Sequence, residues 1–148
     1  MNEVLQHINR SVGQNTFHLV WRPKWHKDPF KFAPLKHVCE TALRDAAQRH
    51  GIRIVDLEIM PDHVHCFVEM HASMSVSLAF QILKGNSARA LFKQHPWLRR
   101  HFRTGHFWSP GKFFRSVGNV TAEAVKNYIA QSNRGSRQQR LLTGYPGL

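Results

Sequence analysis

The chain has 148 residues, room for one domain with a substantial core but not for two ordinary ones. Hydrophobic residues make up 42%, which excludes a disordered polyelectrolyte, and no apolar run reaches the length of a membrane span. Lys and Arg number 21 against 9 Asp and Glu, a net charge of +12. That balance favours a polyanionic partner, most simply nucleic acid, over a membrane surface.

Met1 to Gln14 lacks a signal-peptide core. Asn15 to Trp21 is rich in β-formers and ends at Arg22-Pro23, which predicts a first strand. Lys24 to Phe32 is charged and contains Pro29, so a loop is expected. Pro34 suits the first turn of a helix, and Val38, Ala42, Leu43, Ala46 and Ala47 continue it at helical spacing to His50-Gly51. Ile52 to Met60 reads as a second strand, Pro61-Asp62 as a turn and His63 to Met70 as a third strand. So short a connection makes the last two antiparallel neighbours. Ser75 to Gln94 is a second helix with Val76, Leu78, Ala79, Ile82, Leu83, Ala90 and Leu91 on its apolar side, weakened at Gly85. After a basic stretch from Leu98 to Gly105, Phe107-Trp108 and Lys112 to Val117 read as two strands around a Ser109-Pro110-Gly111 turn. Thr121 is an N-cap and Glu123 suits the positive end of a third helix, with Val125 and Ile129 as its apolar pair. Asn133 to Leu148 is a tail rich in Gly, Arg and Gln.

The order β-α-β-β-α-β-β-α predicts an α+β fold close to the ferredoxin-like, RRM-like plan. Helices pack on one face of an antiparallel sheet, and the other face carries His63 and His65 as an exposed polar surface. Cys39 and Cys66 are far apart, form no CxxC and lie within apolar patterns. They read as buried free thiols, which suits a cytoplasmic protein.

His63-Val64-His65 carries the chemistry. Two histidines one residue apart on a strand point to the same side, so both imidazoles can reach one metal ion, while Val64, Cys66 and Val68 enter the core. The chain has 11 histidines, so an unremarkable pair is the competing reading. Asp62 either orients an imidazole from outside the ligand set or serves only the turn. Tyr128 and Gln131, three apart on the third helix, project from neighbouring turns of one face. Alone, the first would be a core tyrosine and the second a solvated glutamine. A histidine-triad hydrolase would need a third alternating histidine, and position 67 is Phe. A structural zinc site would need four ligands, and Cys66 points away from His65.

Several linked motifs resemble those of the single-tyrosine HUH transposases, the small enzymes of insertion sequences that move as single-stranded DNA (the two-hundred/six-hundred-and-five group). They are Phe17-His18-Leu19-Val20-Trp21-Arg22-Pro23-Lys24, Met60-Pro61-Asp62-His63-Val64-His65, Leu83-Lys84-Gly85-Asn86-Ser87-Ala88-Arg89, Phe107-Trp108-Ser109-Pro110-Gly111, Ser116-Val117-Gly118-Asn119-Val120 and Tyr128-Ile129. The match covers about residues 15–132 of a single domain and leaves the tail outside. It implies that His63 and His65 bind a divalent metal, Mg²⁺ or Mn²⁺, and that Tyr128 cleaves single-stranded DNA to a 5′-phosphotyrosine and a 3′-OH. By ligand preference alone, imidazole suits Mn²⁺ better. Rejoining by another 3′-OH needs no ATP, and no P-loop is present. In the family a glutamine four residues after the tyrosine is a common third ligand. Here that position is Ser132, so the role passes to Gln131 one residue early, with Ser132 as the other occupant.

The resemblance also implies DNA hairpins at element ends as substrate, and a homodimer whose sites combine one chain's histidines with the other's Tyr128. Lys84, Arg89, Lys93, Arg99, Arg100, Arg103, Lys112 and Arg115 are candidates for the DNA path, with Trp97, Phe102, Phe107 and Trp108 as rings that could stack on unpaired bases, core packing being the commoner role for any one of them. Two other readings remain: a non-catalytic basic domain that binds single-stranded nucleic acid, and a domesticated relative that processes chromosomal hairpins.

Overall fold

A computed structural model of the chain describes residues 15–117 and Ala130. Thr121, Tyr128, Gln131, Ser132 and the tail lie outside the described residues. The elements are β1 (Thr16–Pro23), α1 (Ala33–Arg49), β2 (Arg53–Met60), β3 (His63–Glu69), α2 (Val76–Gln94) and β4 (Trp108–Ser116). Short 3₁₀ turns at Lys24–His26, Pro29–Lys31 and Pro96–Arg100 join them. The sheet runs β2-β3-β1-β4 with every neighbouring pair antiparallel, the ferredoxin-like α+β arrangement. Among the described residues no helix is long and apolar enough to cross a membrane.

Local sequence accounts for the helices. Pro34 sits in the first turn of α1, where a missing N–H costs nothing, and Gly51 ends it at a left-handed φ of 69°. Leu35, Val38, Cys39, Leu43, Ala46 and Ala47 form its buried stripe. Ser75 caps α2, its Oγ accepting from Leu78 N at 3.1 Å. Both helices pack on one side of the sheet, where Leu19 and Trp21 from β1 meet Val64, Cys66 and Val68 from β3 in one apolar cluster. Cys39 and Cys66 are free and buried as expected, and burial pushes both thiols up, Cys66 to about 12.

The last part of the sheet differs from the sequence expectation. Phe107-Trp108 and Lys112 to Val117 are not two strands around a turn; Trp108–Ser116 is a single strand. Trp108 pairs with Pro23 and Lys112 with Trp21, so the Ser109-Pro110-Gly111 segment is an irregularity in which β4 spends more residues than β1. Among the described strands β4 is an edge, and Pro110 is tolerated there because an edge strand need not donate to both sides.

Candidate metal centre and nucleic-acid surface

Pairing fixes which side chains share the second face. Val20 lies opposite His65 and His18 opposite Phe67, while on β2 Glu58 faces His65 and Met60 faces His63. A register shift between Ile54 and Asp56 brings Asp56, Glu58 and Met60 onto this side. His63 and His65 therefore project away from the helices, as the alternation predicts. The expected exposure is not found. His63 is 3% exposed and His65 6%, and His18, Val20 and Phe67 beside them are buried as well. Strand alternation tells which face a residue takes, but not whether that face meets water.

The imidazoles form a chain of close contacts. Asp62 Oδ1 accepts from His63 Nδ1 at 2.7 Å. The Nε2 atoms of His63 and His65 stand 2.8 Å apart, and His65 Nδ1 meets His18 Nε2 at 2.9 Å. With its Nδ1–H committed to Asp62, neutral His63 turns the lone pair of Nε2 toward His65. Asp62 thus bonds the His63 ring and also makes the turn. Burial holds all three rings well below the ordinary histidine value, His18 and His63 at about 4 and His65 at about 3. The Arg115 charge adds to the effect at His18. Arg22 adds to it at His63, where Glu58 opposes, and the neighbouring histidines add to it at His65. Neutral imidazoles at pH 7 are the protonation state that metal binding needs.

The spacing also fits a cation. An octahedral ion with bonds of about 2.1 Å sets neighbouring ligand atoms about 3.0 Å apart, close to the separation of the two Nε2 atoms. Among the described residues, no group of three or more His, Cys, Asp or Glu side chains could hold a metal. His63 and His65 bring two imidazole nitrogens together on this face. Tyr128 and Gln131 are outside the described residues.

The basic candidates occupy several surfaces. Arg115 is paired across from His18, on the histidine side of the sheet. Lys112 is on the helix side, its Nζ 5.4 Å from the Phe80 ring centre. Lys84 donates to Ser109 O at 2.8 Å in a shallow cleft with Lys24, Gly85 and His106, and burial brings its amine down to about 8. Arg89 and Lys93 line a groove between α1 and α2. Arg99, Arg100 and Arg103 are exposed. Of the aromatic candidates, Trp97 is 44% exposed, whereas Phe102, Phe107 and Trp108 are core and cannot stack on bases. Trp108 Nε1 donates to Ser87 Oγ at 2.9 Å.

His18 is the residue of this centre that sequence reading passed over. It stands within the Phe17-to-Lys24 motif and at an alternate position of β1, but its reach to His65 depends on a β1–β3 register that no local pattern encodes.

The βαββαβ arrangement is a fold shared with a solved structure described as a candidate transposase. A family model described as "Transposase IS200 like" matches residues 11–132, and the chain belongs to that family. It is 30% identical over 132 residues to the transposase of insertion sequence element IS200 from Salmonella typhimurium, covering 88% of this chain and 86% of the relative. It is 29% identical over 118 residues to the ISDra2 transposase TnpA of Deinococcus radiodurans, covering 80% and 84%. A crystal structure of a candidate transposase from Deinococcus radiodurans superposes with a TM-score of 0.67 at 28% identity, covering 82% of this chain and 93% of that one. A REP-associated tyrosine transposase bound to a REP hairpin shares the fold, with a TM-score of 0.57 at 10% identity and coverage of 90% and 72%.

Proposed function

We propose that this transposase cleaves and rejoins single-stranded DNA through a covalent tyrosine intermediate, with His63, His65 and Gln131 holding Mg²⁺ or Mn²⁺ and Tyr128 as nucleophile. The observation that carries this reading is the pair of neutral Nε2 atoms 2.8 Å apart, one of them turned by Asp62. A divalent ion there would polarise the scissile phosphate, which otherwise repels an incoming oxygen. Tyr128 Oη bonds to phosphorus, the bond to the 3′ oxygen breaks, and the phenolic proton ends on the released 3′-OH. Attack by a different 3′-OH reverses the step and joins new ends, so the phosphoester energy is conserved. Gln131 is the third ligand, with Ser132 as the alternative at that position.

Hairpins at element ends are the proposed substrate, supported by the shared fold of a relative described as bound to a REP hairpin. Arg115 is the basic candidate nearest the histidines and would meet the strand at the centre. A homodimer with composite sites is also part of the reading. Its support is β4, an edge strand among the described ones, on which Phe113 and Phe114 are exposed. The rival, a non-catalytic single-strand binder, draws support from Gln131 standing one residue short of the family's glutamine position, where this chain has Ser132. Flanking hairpins in the genome would separate a mobile element from a domesticated relative.

The test is covalent capture. An oligonucleotide carrying the element end, with Mg²⁺ or Mn²⁺, should give a slower protein band on a denaturing gel, lost in Tyr128→Phe and retained in Tyr145→Phe. Mixing Tyr128→Phe with His65→Ala should restore part of it if sites are composite. No band from the wild-type protein leaves the binder; a band that depends on Tyr145 moves the nucleophile.

A further inference from the structure

We propose that His18 is a positioning residue of the metal centre, fixing the tautomer and ring plane of His65 as Asp62 does for His63. The inference rests on the reading of His63 and His65 as ligands. An imidazole binds a cation only through a nitrogen lone pair, so it carries its proton on the other nitrogen, and that N–H calls for an acceptor. Asp62 Oδ1 is the acceptor for His63, at 2.7 Å. The matching atom for His65 is His18 Nε2, 2.9 Å from His65 Nδ1.

The geometry suits an acceptor. The two rings lie within 15° of parallel with centroids 5.1 Å apart, so nitrogens 2.9 Å apart meet edge to edge and not face over face. The bond therefore runs close to the plane of both rings, where the lone pair lies. A half-turn of His65 about its terminal torsion would put carbons where its nitrogens stand, and the contact with His18 selects against it. His18 is itself held: Phe67 lies opposite it on β3, with ring planes 22° apart and centroids 6.5 Å apart. Each proposed ligand thus has its own outer partner, one from the β2–β3 turn and one from β1.

The tautomers follow. Without an ion, His65 Nε2–H donates to the His63 lone pair and His65 Nδ1 accepts from His18 Nε2–H. When His65 binds through Nε2, its proton passes to Nδ1 and is donated to His18 Nε2, which places the His18 proton on Nδ1. Both rings stay neutral throughout, and His18 neither touches DNA nor binds the ion.

The test titrates Mn²⁺ calorimetrically into DNA-free protein, comparing wild type with His18→Phe, His18→Gln and His63→Ala, with circular dichroism to check folding. His18→Phe keeps the ring but offers no acceptor, and affinity should fall by about ten- to a hundredfold. His18→Gln puts an amide oxygen at the same number of bonds from Cβ as Nε2, and should recover most of the loss. A packing role gives the opposite ranking, with Phe close to wild type and Gln weaker, and that overturns the proposal. If His18→Phe fails to fold, ¹⁵N shifts of His65 in Zn²⁺-loaded wild type decide: a proton on Nδ1 supports the inference, and a proton on Nε2 overturns it. Loss of Mn²⁺ binding in His63→Ala but not in His18→Phe removes His18 alone. Equal binding by wild type and His63→Ala removes the metal centre, and this inference with it.

Discussion

The two faces of the sheet are built from alternate residues of the same strands, and along β1 and β3 both are largely buried, yet they differ in kind. The buried polar residues of the described chain are Thr16, His18, His63, His65, Glu69 and Ser87, and only Ser87 lies on the helix side. There Leu19, Trp21, Val64, Cys66 and Val68 are apolar and fully covered. On the other side Thr16 Oγ1 and Glu69 Oε2 are buried without a hydrogen-bond partner, as Trp21 Nε1 is on the helix side, and each such atom costs stability. The comparison teaches that burial has two uses here. One face supplies the free energy of folding, while the other spends part of it to hold polar groups dry, neutral and aligned.

The sharpest way to break this division is to truncate one residue on each side. His65→Ala and His63→Ala should each abolish DNA cleavage while the far-ultraviolet spectrum remains that of the wild type. Unchanged cleavage at limiting metal by either would sink the two-histidine centre. Leu43→Ala, under the helices, should cost about 2–5 kcal/mol in urea unfolding and leave Mn²⁺ affinity per folded molecule unchanged. If it altered affinity as strongly as His65→Ala, the faces would not be separable.

Acid sharpens the contrast. Folding holds His18 and His63 at about 4 and His65 at about 3, below the 6.5 of a free histidine. Between these values the unfolded chain binds protons that the folded chain refuses, so stability is full above about pH 6.5 and falls as the pH drops toward the folded values. Each refusing ring steepens the fall by at most about 1.4 kcal/mol per pH unit. Asp62 and Glu58 oppose the effect by favouring a charged ring, and Arg22 and Arg115 add to it. Urea midpoints from pH 7.5 to 4 should show the loss; a flat profile would mean that the folded rings take up protons as readily as those of the unfolded chain. The smallest effect belongs to the helix side. Trp108→Phe removes the bond to Ser87 Oγ and some volume, at a cost of about 1–2 kcal/mol, with metal binding untouched.

Most of this fold was legible because its periods are plain. Alternation gave β1 and β3 their faces, the spacing of Val38, Leu43 and Ala47 gave α1, and Pro61-Asp62 gave the hairpin. Ser109-Pro110-Gly111 misled because the same residues that make a turn also make an irregularity on an edge strand, and only pairing with Trp21 and Pro23 distinguishes the two. Phe102, Phe107 and Trp108 sit in a polar, basic stretch, where local pattern leaves both base stacking and core packing open. They pack among Phe30, Phe92 and one another, a clustering invisible to local pattern. Of the site, His63, His65 and Asp62 could be read because they are adjacent in sequence. The place of His18 beside His65 could not, since 47 residues separate them and only the β1–β3 pairing joins them.

The hairpin between β2 and β3 closes with Met60 paired to His63, and Pro61 O accepts from Phe30 N at 3.1 Å. Surface turns are ordinarily where an engineer splices a tag or a foreign loop. This one is closed to such grafting. Adding a single residue between Met60 and His63 would either part Asp62 from the imidazole it steers or slide β3 by one position against its neighbours. The slide would drive both histidines into the greasy interior and push Val64 and Cys66 out in their place. The tightness of two residues is thus a tolerance specification for the whole centre.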